Sequence, residues 1–242
     1  VKEIVEVKIG YDGIVLAESR AAAGLDMSLR DVYLALAKQV PNPNGSETLV
    51  PNPYKTWKDV NPKLAAQPIE VLGPPPTSGT RDAFVELVMD KACGEFAEIK
   101  SLEGDAKKAA CQTVREDGVF VEAGENDNLI VQKLEANAAA VGIFGFSFLD
   151  QNADKIQGST IGGVAPTFDA IADGIYPVSR PLFFYVKNAH VGLIPGIQEF
   201  VAEFLSDRAS GDDERPARRK PRHRAARSAH HDSRCVRSPR SS

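Results

Sequence analysis

The chain has 242 residues, 43% of them apolar, and its 29 Lys and Arg against 33 Asp and Glu leave a formal net charge of −4. That content supports one core of ordinary size or two small lobes, and without a run of about eighteen apolar residues no helix can span a membrane. The net value hides an asymmetry, because ten Lys and Arg face four Asp and Glu from Ser210 onward while the preceding body holds nineteen against twenty-nine.

In chain order, Val5, Val7 and Ile9 alternate as a strand already in mid-domain. Pro41-Asn42-Pro43-Asn44-Gly45-Ser46 and Pro51-Asn52-Pro53 mark a surface loop between Val40 and Trp57. Tyr54 and Trp57, beside Pro53 and Asn61-Pro62, are expected to pack a turn onto the core rather than stack on a ligand. The alternation of strand, helix and loop points to an α/β fold.

The stretch Val71-Leu72-Gly73-Pro74-Pro75-Pro76-Thr77-Ser78-Gly79-Thr80-Arg81-Asp82-Ala83-Phe84 carries the most chemistry. An apolar pair runs into three prolines, which end the strand. Phe84, Leu87 and Val88 then recur at helical spacing, placing Ser78, Gly79, Thr80 and Arg81 in or just before a first helical turn. Backbone N–H groups there have no intrahelical partner, and the positive end of the helix dipole favours an oxyanion. Gly79 admits a ligand close to the backbone, Ser78 and Thr80 add hydroxyl donors, and Arg81 adds a guanidinium fork. A cation in the first turn opposes the dipole, so an anion should compensate Arg81. The same residues also fit an ordinary N-cap by Ser78 or Thr77 with a solvated Arg81–Asp82 pair behind it.

Further on, Cys93 and Cys111 lie eighteen apart. A bridge between them would stabilise by about 3 kcal/mol, and two separate thiols are the alternative. Glu122, Glu125 and Asp127 precede Leu129, Ile130 and Val131, which reads as a helix start capped by Asn126 or Asp127; a contribution from this helix end to a ligand cleft is the second reading. Gly142, Gly145 and Phe146 read as close strand packing near such a cleft, and Phe183, Tyr185 and Val186 as an extended run. His190 is the single histidine of the body and reads as a solvated loop residue. No nucleotide-binding Gly-x-x-x-x-Gly-Lys-Ser/Thr loop, no Gly-x-Ser-x-Gly elbow and no pair of body histidines at metal-ligand spacing is present, which argues against catalysis.

Ile197, Phe200, Val201 and Phe204 share one helical face, and ordinary core periodicity ends at Leu205. The basic tail is expected to be disordered and to be a foreign or frame-shifted sequence. It lacks the aromatic interleaving of a nucleic-acid segment, and His230, His231 and Cys235 fit no closed zinc site.

Taken as an ordered set, Leu29-Arg30-Asp31-Val32-Tyr33-Leu34-Ala35-Leu36-Ala37, Lys55-Thr56-Trp57-Lys58-Asp59-Val60-Asn61-Pro62-Lys63-Leu64, the Ser78 to Phe84 loop, Gly142-Ile143-Phe144-Gly145-Phe146 and Ile171 to Leu182 resemble the substrate-binding protein of the phosphate-specific ABC transporter, across roughly residues 1–208. The resemblance implies an α/β, two-lobed periplasmic binding protein of type II, the Venus-flytrap form, with one lobe nearly complete and the other partial. It divides the chain into the end of the first lobe and a hinge crossing (1–13), a second lobe with the anion loop (14–178), a return to the first lobe (179–208) and the tail (209–242). It implies phosphate held by Ser78, Gly79, Thr80 and Arg81, delivery to a membrane permease, a periplasmic location and a monomer, with no enzyme activity, cofactor, metal or nucleic-acid partner. The family's secretion signal, its Ser/Thr-rich first phosphate loop and the segment with an Asp that accepts the phosphate proton are not found here, so the chain is expected to start where the first lobe hands over to the second. Asp82 and Asp12 are the candidates to replace that acceptor.

Overall fold

In the computed structural model, which describes residues 3–124 and 126–210, the alternation at Val5, Val7 and Ile9 opens a strand that runs unbroken from Ile4 to Ser19 (β1). A short strand β2 (Asp26–Met27) precedes α1 (Leu29–Leu36), which starts at a capping box: the Asp31 N–H donates to Ser28 Oγ and the Ser28 N–H donates to the Asp31 carboxylate. The stretch expected as a surface loop contains a small hairpin, β3 (Gln39–Pro41) with β4 (Leu49–Pro51). Its prolines sit at the strand ends, where a missing N–H is tolerated, and the Asn42 and Asn44 side chains accept from the N–H groups of Asn44 and Ser46 to close the turn. In α2 (Trp57–Val60), Trp57 is fully buried in the core.

After β5 (Val71–Gly73) and the prolines, α3 (Gly79–Phe84) continues without a break through a π-helical stretch, residues 85–90, into α4 (Lys91–Cys93). Phe84, Leu87 and Val88 are buried along it. The chain returns through α5 (Ala97–Lys100) and α6 (Gly104–Gln112), and a disulfide joins Cys93 to Cys111, whose Cα atoms are 5.3 Å apart. Then follow β6 (Phe120–Glu122), α7 (Asp127–Ala136), β7 (Val141–Gly145), α8 (Phe146–Gln151), β8 (Ile156–Gly158), β9 (Thr160–Ile161), α9 (Phe168–Ala172) and β10 (Ser179–Lys187).

The main sheet is mixed, in the order β10-β1-β7-β5-β6, with β8 also paired to β1. Strands β7, β5 and β6 are parallel, whereas β1 is antiparallel to β7, β8 and β10. Both faces of the central strands are covered. Ile14, Leu16, Val71 and Ile143 join the larger core with α1 and the long helix, while Val15, Ala17, Leu72 and Phe144 join a second core with Ile130, Val131 and Leu134 of α7. Burial on both sides explains why these strands read as continuous apolar runs rather than alternating ones. A Cβ at Gly142 would lie 2.6 Å from Ile130 Cγ2, so this glycine lets α7 press onto β7. Gly145 has no such neighbour closer than 4.0 Å.

β1 changes partners along its length. Residues 4–13 pair with β10 around a bulge at Ile9, Gly13 facing Ser179, and from Ile14, which faces Gly145, the strand pairs with β7. The β1–β10 ribbon leaves Ile4, Val5, Ile9, Leu182 and Tyr185 exposed.

The described chain divides into two compact units at residue 188. The second unit holds α10 (Ile197–Phe204), with the expected apolar residues on it, and α11 (Asp207–Ser210). His190 ends a short 3-10 turn. Ala209 and Ser210 belong to α11, and the rest of the tail, with His230, His231 and Cys235, lies outside the described residues. Among the described residues no helix is long and apolar enough to cross a membrane.

Candidate functional site

The parallel strands β7, β5 and β6 end at one edge of the sheet, and each leads into a helix whose N-terminus lies there: α8 after Gly145, α3 after Ser78 and α7 after Asn126. β1 passes the same edge where Ile14 faces Gly145. Ligands of open α/β sheets bind outside the carboxyl ends of parallel strands, where helix N-termini converge.

The Ser78 to Arg81 loop is built as follows. The Ser78 N–H donates to the Pro75 carbonyl (3.0 Å), folding the proline run into a turn. Ser78 is the N-cap: its Oγ accepts from the Thr80 N–H (3.2 Å), and its carbonyl accepts from the Asp82 N–H (3.2 Å). The N–H groups of Gly79 and Arg81 have no acceptor among the described residues. Gly79 is exposed, and a Cβ built there meets nothing within 4 Å, so no neighbouring group crowds the Cα side of this residue. Capping spends a lone pair of the Ser78 oxygen and leaves its O–H free to donate.

Arg81 is half-buried and folds back over the loop. Its Nη1 donates to the Pro74 carbonyl (3.2 Å), and its guanidinium carbon sits 4.4 Å from the centre of the Phe120 ring. Burial pulls its pKa below the usual arginine value, while the carboxylate charge of Glu122 acts in the opposite direction. The chain therefore supplies part of the compensation that the first-turn cation requires, from a neighbouring strand.

Among the other candidates, Asn126 rather than Asp127 caps α7, accepting from the Asn128 N–H (3.1 Å). Burial holds the Asp127 carboxyl above its ordinary range. Glu125 lies outside the described residues. Asp12 faces Arg180 across the ribbon at 3.7 Å, and Arg180 Nη1 also donates to Glu86 (3.0 Å) on the helix behind the loop. Asp82 is exposed on α3. Among the described residues one group has metal-ligand proximity, Asp90 with Cys93 and Cys111, and its two sulfurs are spent in the disulfide. A cleft of about 310 Å³ lies elsewhere, between Arg30, Tyr54 and Phe96, and includes none of the loop residues.

A family model described as a PBP superfamily domain matches residues 1–208. The chain belongs to the PBP superfamily. Within this superfamily it is 29% identical over 221 residues to a phosphate-binding protein PstS of Staphylococcus saprophyticus, covering 86% of this chain and 55% of that protein. It is 32% identical over 214 residues to the PstS of Staphylococcus haemolyticus, covering 86% of this chain and 56% of that protein. The chain thus spans about half the length of the curated relatives it matches. A solved structure of a possible phosphate binding protein from Planctomyces limnophilus superposes with a TM-score of 0.62 at 26% identity, over 85% of this chain and 63% of that one. An ABC-type phosphate transport receptor from Vibrio cholerae shares the fold at a TM-score of 0.57 and 19% identity, over 87% of this chain and 70% of that one. The mixed α/β architecture is that of the PBP superfamily.

Proposed function

We propose that this chain carries one half of a site that captures inorganic phosphate outside the cytoplasm and passes it to the membrane permease of an ABC transporter. The observation that carries the proposal is the Ser78 to Arg81 loop. Two N–H groups without acceptors, two hydroxyls and a guanidinium gather there at the carboxyl edge of a parallel sheet. Such a donor-rich helix start suits an oxyanion, and no hydrogen bond joins the Ser78 or Thr80 hydroxyl to a histidine or carboxylate among the described residues that would activate it as a nucleophile, so the reading is reversible capture rather than catalysis. The names of the relatives favour phosphate among the oxyanions, and the Cys93–Cys111 disulfide suits an oxidising compartment.

The partner change of β1 at Gly13 and Ile14 supports a division into a crossing (1–13), an anion-binding lobe (14–178) and a return (179–208). Two lobes joined by extended crossings close on a ligand that each half contacts, and the closed form is what a permease recognises. Ser78, Gly79 and Thr80 act through backbone and hydroxyl donors, and Arg81 acts by charge. The chain works as a monomer without cofactor, metal or nucleic acid.

Calorimetric titration of the chain with phosphate, repeated with sulfate present and after Arg81→Ala, tests this. Loss of a charge-assisted donor should weaken binding about tenfold or more. Unchanged affinity would remove Arg81 from the site, and binding of sulfate with no response to phosphate would make another oxyanion the ligand.

A further inference from the structure

Arg81 is the loop donor whose place is set from a distance. Its guanidinium lies over Phe120 on β6, the strand beside β5, and the ring is buried at 7% exposure. The ring in turn depends on Gly73, directly before the proline run. A Cβ at that position would stand 2.4 Å from Phe120 Cζ and 2.7 Å from Cε2, so any side chain there displaces the ring.

We propose that Phe120 is the positioning residue for Arg81, holding the guanidinium at the anion loop while Gly73 keeps the place of the ring open; this rests on the phosphate reading above. A carboxylate in hydrogen-bonding contact would also fix an arginine, but it would consume the in-plane N–H donors that an oxyanion needs. An aromatic face attracts the cation through its quadrupole and consumes none of them. Here the donors are largely kept. The Pro74 carbonyl takes one N–H, and Glu122 acts on Arg81 through its charge with no ion pair between them among the described residues. Lysine could not replace Arg81, having neither the planar group for the ring nor the fork for the anion.

The test is a phosphate titration of the full chain followed by NMR, in wild type, Phe120→Leu, Arg81→Lys and the double variant. In wild type, phosphate shifts the amide signals of Gly79, Thr80 and Arg81, and the Arg81 side-chain protons resonate upfield because of the ring current. Phe120→Leu erases the upfield shift and weakens phosphate about three- to tenfold, Arg81→Lys weakens it by a similar factor, and the double variant binds no more weakly than either. Additive losses, or a Phe120→Leu variant that binds like wild type, overturn the positioning role and leave the anion site standing. No phosphate response at those amides in wild type overturns the anion site and the positioning role with it. Thermal melts accompany each variant. If Phe120→Leu does not fold, the wild type and Arg81→Lys decide the matter: Arg81 side-chain protons that stay upfield at saturating phosphate support the positioning role, whereas protons that return to ordinary shifts on binding, or wild-type affinity in Arg81→Lys, overturn it.

Discussion

At Arg115 a single side chain ties three segments together. The residue is 3% exposed, its Nη1 donates to the carbonyls of Ala35 (3.1 Å) and Tyr54 (3.0 Å), and its Nε donates to Asp117 (2.8 Å). The hydrogen bonds from Arg115, its charge and a hydrogen bond from Lys55 hold the Asp117 carboxyl well below the usual carboxylate range, against a smaller opposing effect of burial. A carboxyl whose folded pKa is depressed favours the folded state above its unfolded value of about 3.9, and that contribution is lost as the pH falls through and below it. Asp59, lowered by backbone and side-chain hydrogen bonds at Thr56, acts in the same direction. Glu18 acts in the other: burial raises it, outweighing the Leu25 N–H and Ser159 hydroxyl that donate to it, so its cost to the fold grows as the pH rises through its raised value. Urea melts should therefore show wild-type stability falling steeply below about pH 4, with Asp117→Asn less stable at pH 7 and flatter across the acid limb. Equal acid slopes in the two proteins would show that the Arg115–Asp117 pair carries no linkage.

Among the elements, the long helix from α3 to α4 shows what was legible. Three prolines and the spacing of Phe84, Leu87 and Val88 identify its start, because both signals are local. The π-helical stretch at residues 85–90 leaves no mark in that spacing, and the β3–β4 hairpin hides behind prolines that break strands everywhere except at their ends. The compensation of Arg81 was also out of reach, since Phe120 and Glu122 come from a strand paired only in the folded state. Cys93 and Cys111 were equally ambiguous until α4 and α6 were seen side by side. That crosslink should matter to both elements, because α4 and α6 are short and marginal alone. Closing a loop of this length stabilises by about 3 kcal/mol in the chain-entropy model. Denaturant unfolding with and without reductant, and of Cys93→Ala with Cys111→Ala, should show a loss of about 2–4 kcal/mol; identical midpoints would mean that packing alone holds α4 to α6.

For the whole molecule, the resemblance of the ordered motifs to a known family was enough to reach the PBP superfamily, whereas the strand order β10-β1-β7-β5-β6 rests on long-range pairings that no local pattern encodes. That order places the Ser78 to Arg81 loop at an edge open to water, and the openness limits what the chain can bind. A micromolar complex needs about −8 kcal/mol. The donors present could contribute about 1.5–3 kcal/mol each when charge-assisted, but water already serves them, and association itself costs about 4 kcal/mol or more in lost freedom. Phosphate should accordingly bind this chain more weakly than about 100 μM, and more weakly still as salt is raised and the Debye length shrinks from about 30 Å at 0.01 M to about 10 Å at 0.1 M. Selectivity over sulfate should be poor as well, because hydrogen-bond donors alone serve a fully deprotonated anion as well as a protonated one. Titrations across that salt range decide it. Micromolar, sulfate-resistant binding would mean that these residues form a complete site that already includes an acceptor for the phosphate proton, and Asp82 and Asp12 would be the first carboxylates to replace.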